Sequence, residues 1–165
     1  MSAKIAYNYL VKLLSFRDYS EVKLREKLRE KKFSPEEAES AINELKSRGY
    51  LREDLYIEAR IKGFMHKNCS ANYIKQKLAS EKLTVDFDLI YSIFEEHKIE
   101  EVDQINNLLA KKLKLPSNFQ ELEYEERNKM IQKAVRYAVS KGHSPQSIFR
   151  ILKQRQNNLD TDSLL

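Results

Sequence analysis

Two eleven-residue stretches set fifty residues apart, "DYSEVKLREKL" and "NCSANYIKQKL", carry one cap and one apolar spacing, and this internal repeat constrains the fold more than any other feature. In each, a serine suited to a helix N-cap, Ser20 or Ser70, is followed four and eight residues later by apolar side chains, Leu24 and Leu28 or Ile74 and Leu78. A helix this short cannot bury its stripe alone. It must pack against neighbours, and a repeated short helix therefore implies a repeated helical unit.

The flanking sequence supplies those neighbours. Ala6, Tyr9, Leu10, Leu13 and Leu14 form the stripe of a first helix. Ser34, Pro35 and Glu37 form a capping box for a third, which carries Ala38, Ala41, Ile42 and Leu45. Gly49 then stands just past the last turn, where a left-handed residue is needed. Tyr50 and Leu51 follow where the departing chain folds back onto the core, and Glu53 or Asp54 is placed to cap the next helix. Gly49, Tyr50, Leu51 and Asp54 thus read as a structural joint.

A second unit starts with a helix from about Asp54 to Met65. It continues through Ser70, then through "EKLTVDFDLIYSIFEEH", where Thr84 aligns with Ser34 and Phe87, Ile90, Tyr91 and Phe94 give the stripe. A third comprises "VDQINNLLAKKLKL", a longer helix from about Leu122 to Lys141, and "KGHSPQSIFRILKQ" with Ser144, Pro145, Ile148, Ile151 and Leu152. Pro116 in "KLPSNFQELEYEER" predicts a break and a loop. With only three glycines and three prolines in 165 residues, strands and their turns are disfavoured. The expectation is an all-α chain of three tandem three-helix repeats, 1–51, 52–100 and 101–157, with a frayed tail at 158–165, forming an elongated, curved helical array.

Several chemistries are excluded by residue type. A phosphate loop needs clustered glycines, and the glycines here are Gly49, Gly63 and Gly142. His66 and His97 stand 31 residues apart in the second unit and His143 in the third, with no cysteine or carboxylate at ligand spacing, so surface or cap histidines and no metal are expected. Cys69 is the single cysteine, which forbids an intramolecular disulfide and suits a reducing compartment as an inert thiol. Paired acids such as Glu95 and Glu96 read as solvated helix faces. No apolar run approaches a membrane span, and the N-terminal apolar stretch lacks a cleavage site, which predicts a cytoplasmic location. Neither an enzyme nor a cofactor is expected.

Charge is more informative. The net charge is +5, and it is unevenly spread: Arg127 to Arg155 holds eight basic residues and no acid, whereas Leu83 to Leu109 holds seven acids against Lys98. If equivalent helices stack alike, Arg25, Arg29, Lys75, Lys77, Lys133, Arg136, Lys141 and Arg150 form a basic stripe suited to a phosphate backbone or an acidic protein groove. Tyr19, Tyr73 and Tyr137 lie among these charges, placed to stack on bases or to pack in the core. Two rivals remain. One is a helical module that reads DNA directly, disfavoured by Pro35, Glu36 and Glu37 in a first helical turn although Gln146 suits it. The other is a non-enzymatic adaptor.

"SFRDYSEVKLREKLREKKFSPEEAESAINELKSRGYL" followed by "REDLYIEA" resembles the first unit and junction of the RecX family of bacterial recombinase regulators. Arg17, Ser20, Glu21, Leu24, Arg25, Lys27, Leu28, Gly49, Tyr50, Leu51, Tyr56 and Ala59 carry the match. The second and third units resemble it more loosely, with Asn68 and Lys82 where glycines are common and Arg52 where an acid is. The resemblance implies a cytoplasmic, monomeric regulator of homologous recombination and the SOS response. It would bind the RecA recombinase filament on single-stranded DNA and inhibit its ATPase, strand-exchange and co-protease activities, with only weak DNA binding alone and no membrane contact.

Overall fold

A computed structural model describes residues 2–113 and 123–162, the side chains of 156–162 excepted. These residues form α1 (Ala3–Leu14), α2 (Glu21–Glu30), α3 (Pro35–Ser47), α4 (Glu53–Met65), α5 (Ala71–Ser80), α6 (Phe87–Glu96), α7 (Glu101–Lys112), α8 (Tyr124–Val139) and α9 (Pro145–Asp162), with no strand among the described residues. The break expected at Pro116 lies outside the described residues, as do 163–165 of the tail. The chain divides into two compact units, Met1–Arg60 and Ile61–Leu165, and the boundary falls within α4.

Helix starts follow the serines. The Oγ atoms of Ser20, Ser34, Ser70 and Ser144 accept from the backbone N–H three residues on, at 3.4, 3.2, 3.2 and 3.0 Å. At Ser34 the box closes in both directions, because Glu37 accepts from the Ser34 N–H at 2.9 Å. Helix ends share one closure too. Gly49 is left-handed at φ +71°; its N–H donates to Lys46 O at 2.9 Å, and the Tyr50 N–H reaches back to Leu45 O at 3.0 Å. The same pair of backbone bonds ends α2, α4, α5, α6 and α8, with Lys32, Asn68, Lys82, Lys98 and Gly142 as the left-handed residues.

A lysine in this conformation brings its Cβ against the following carbonyl oxygen, a strain that glycine lacks. Lys32→Gly is therefore expected to raise stability by about 0.5–1 kcal/mol after glycine's added chain entropy is deducted. Urea denaturation measures it, and a lowered midpoint would contradict the strained closure.

In the first unit α1 and α2 pack on α3, and Ala6, Leu10, Leu24, Leu28, Ala41, Ile42, Leu45 and Leu51 make the core. Leu51 folds back onto that core while Tyr50 stays 58% exposed. Glu53 opens α4, and its Oε1 accepts from the Glu21 N–H at 3.1 Å, so it satisfies an orphan donor of α2. In the second unit α5 packs on α6, and α8 and α9 pack with α7 around Ile105, Leu108, Leu109, Ala134, Ala138, Ile148 and Ile151.

Three details of the helix ends and faces depart from the sequence reading. Neither Glu53 nor Asp54 is the cap of α4, because both lie within its first turn. Thr84 is exposed and caps nothing; Asp86 occupies the N-cap of α6, and Leu83 and Val85 are buried on either side of Thr84. Alternate residues of an extended segment point opposite ways, so burying both neighbours turns Thr84 outward. On α6 the buried residues are Ile90, Ile93 and Phe94, while Tyr91 is 56% exposed. Positions 91 and 93 lie nearly opposite each other on a helix. The purely apolar Ile93 takes the core side, which leaves the Tyr91 hydroxyl in water.

Candidate nucleic-acid interface

The basic residues of α2 are largely matched inside the first unit. Arg25 forks between Glu21 and Glu39, each at 2.7 Å, and Lys46 adds a second cation at 2.7 Å from Glu21. Lys23 pairs with Glu26 and Lys27 with Glu30. Glu39 and Glu21 hold the Arg25 guanidinium above its ordinary range. Burial pushes the Glu21 carboxyl up, but hydrogen bonds from Lys46 and Arg25 outweigh it and leave that carboxyl below its ordinary range. Arg29 is exposed on the same helix.

The second unit arranges its charges differently, because two of its turns dock. The turn before α5 meets the turn between α8 and α9: the Ser70 N–H donates to Lys141 O at 2.9 Å, and Ser70 Oγ donates to Gly142 O at 2.8 Å. Gly142 is left-handed at φ +89°, and a Cβ there would fall against Ser70 Oγ and within 2.6 Å of Tyr73 Cβ. Only glycine fits so close an approach.

His143, read from sequence as a surface or cap residue, is in fact buried. Its Nε2 donates to the Asn68 carbonyl at 2.9 Å, the contact that draws the ring inward, and its Nδ1 faces Glu101 Oε1 at 3.6 Å. From α7, Gln104 Nε2 donates to the Cys69 carbonyl at 3.1 Å. The joint is thus polar and largely buried, a construction that fixes relative position more firmly than apolar contact alone.

This docking brings together side chains that lie far apart in sequence. On α5, Tyr73 and Lys77 are one turn apart, and the Lys77 ammonium sits 5.4 Å from the Tyr73 ring centre. On α8 and its exit, Tyr137 and Lys141 repeat the spacing at 5.5 Å, and Lys112 at the end of α7 reaches the same ring at 4.5 Å. Burial pushes the Cys69 thiol up, and the positive charges of Lys141, Lys67 and Lys77 act on it in the opposite sense. The result is a row of cations beside two half-buried tyrosine rings, Tyr73 edge-on to Phe64 and Tyr137 packed in part against the core, a combination of charge and aromatic surface suited to a phosphate backbone.

Of the candidate residues, Lys77 and Lys141 enter this row. Lys75 lies over Phe87 at 4.2 Å, while Lys133, Arg136 and Arg150 are exposed and make no ion pair among the described residues. Lys67 and Lys112 escaped the sequence reading. Each is a basic residue at or just past a helix end, where the dipole alone accounts for it.

Several known proteins are similar to this chain. Residues 6–45 match the family model described as RecX, first three-helix domain. A regulatory protein RecX of Haemophilus influenzae (strain 86-028NP) is 32% identical over 158 residues, covering 96% of this chain and 99% of its own length. A regulatory protein RecX of Legionella pneumophila (strain Corby) is 28% identical over 149 residues, 90% of this chain and 93% of its own. In fold, the crystal structure of RecX from Lactobacillus salivarius matches with a TM-score of 0.66 at 19% identity, over 92% of this chain and 95% of that one.

Proposed function

Since this chain belongs to the RecX family, we propose that it regulates homologous recombination by binding the RecA recombinase filament on single-stranded DNA and slowing its ATPase, strand exchange and co-protease action. The observation that carries this reading is kinship along 96% of the chain, joined to a tyrosine–lysine row on the second unit. Lysines placed along such a row neutralise phosphates and release counterions, which attracts nucleic acid without reading its sequence. Stacking on Tyr73 and Tyr137 favours unpaired bases over a duplex, whose bases are already stacked.

On this reading the protein acts by occupancy, as a cytoplasmic monomer of three helical repeats, and performs no reaction itself. RecA-dependent ATP hydrolysis on single-stranded DNA, titrated with this protein, tests the proposal. The rate is expected to fall as protein is added, and this chain alone is expected to turn over no ATP. A RecA rate unchanged at saturating protein would refute it.

A further inference from the structure

The second unit also carries a cleft of about 950 Å³ whose chemistry is opposite to that of the tyrosine–lysine row. Its apolar side is formed by Tyr91, Phe94 and Ile99, and its charged edge by Glu95, Glu100 and Glu101 against Lys98, the one cation among its described lining residues. Glu101 accepts from Ser147 Oγ at 3.4 Å and faces His143 Nδ1 at 3.6 Å. Glu95 and Glu100 make no ion pair among the described residues. Gln104 lines the cleft although only 2% exposed, and its amide nitrogen is tied back to the Cys69 carbonyl, so its amide oxygen is the end left for a guest.

We propose that this cleft takes an arginine-bearing segment of a protein partner. Three carboxylates and an amide oxygen are acceptors, so the guest must bring donors and positive charge. Helices α5 and α9 start beside the cleft, but Ser70 and Ser144 already accept from their own first turns, so the full charges set the sign. A nucleic-acid phosphate would be repelled there. Arginine fits better than lysine because its planar guanidinium forks onto a carboxylate and stacks on an exposed ring such as Tyr91. The neighbouring Phe94 and Ile99 suit an aliphatic residue beside it.

The test uses the whole protein and a fluorescein-labelled nonapeptide of alternating arginine and leucine, followed by fluorescence anisotropy. Glu95→Gln with Glu100→Gln is expected to weaken binding about tenfold or more. Tyr91→Ala is expected to weaken it about threefold. Glu125→Gln with Glu126→Gln, which removes two exposed carboxylates from the first turn of α8, should stay within about twofold. Circular dichroism confirms that each variant is folded. The proposal is overturned by any of three results: unchanged peptide affinity in the Glu95 and Glu100 variant, an equal loss in the α8 variant, or no peptide binding by the parent.

Discussion

Replacing Lys77, Lys112 and Lys141 together by glutamine is expected to weaken binding of a single-stranded oligonucleotide about a hundredfold at low salt. The three ammonium groups flank Tyr73 and Tyr137 on one joint, so their removal takes away the charge beside both rings while leaving the rings in place. Three phosphate contacts account for a slope of about 2 in log affinity against log salt for single strands, and the variant's slope should shrink by about that amount. The matched control is Lys23, Lys27 and Lys46 to glutamine, whose charges are already met by Glu26, Glu30 and Glu21. It should lose no more than about threefold, because paired charges release few counterions on binding. A folded site variant that binds like the parent, with an unchanged salt slope, would reduce the row to solvated surface.

Gly142→Ala is expected to destabilise the protein most among the glycine substitutions, by about 3 kcal/mol. Left-handed geometry contributes about 1–2 kcal/mol of that. Overpacking against Ser70 Oγ and Tyr73 Cβ contributes a similar amount, because the Tyr73 atom is fixed to the backbone of α5 and cannot swing away. Gly49 shares the left-handed conformation at φ +71° but has no heavy atom within 4 Å of an added Cβ, so Gly49→Ala should lose only about 1 kcal/mol. Gly63 lies inside α4 with open space around it, and Gly63→Ala should gain about 0.5–1 kcal/mol from helix propensity. Chemical denaturation of the three variants gives the order. Equal losses at positions 142 and 49 would mean that the two turns do not meet. Because the same contact holds Lys141 in place beside α5, Gly142→Ala should also weaken oligonucleotide binding.

Much of the fold was legible because it is encoded within single turns of helix. A serine three residues before a backbone donor, the Pro35 and Glu37 that complete its box, and the spacing of Leu24 to Leu28 and Ile74 to Leu78 each depend on neighbours no more than four residues away. Gly49 was legible for the same reason: the strain that selects glycine belongs to its own backbone. The candidate site was read less completely. Charge along the chain pointed to Lys77 and Lys141, yet it also pointed to Arg25, whose guanidinium is met by Glu39 from another helix. It missed Lys112, whose partner ring lies on α8.

The amino-acid sequence by itself determined where most of the helices begin, how α3 ends at Gly49 and which face of most of them is apolar, since each rests on hydrogen bonds and side-chain spacings that a local segment satisfies alone. Tertiary structure alone decided which of two opposed residues on α6 is buried, that His143 turns inward to the Asn68 carbonyl, and which lysines stand beside the two tyrosine rings. The last two hang on the close approach of Gly142 to Ser70, two residues that are 72 positions apart. A contact of that range is set by how whole helices pack, and no local pattern of residues carries it.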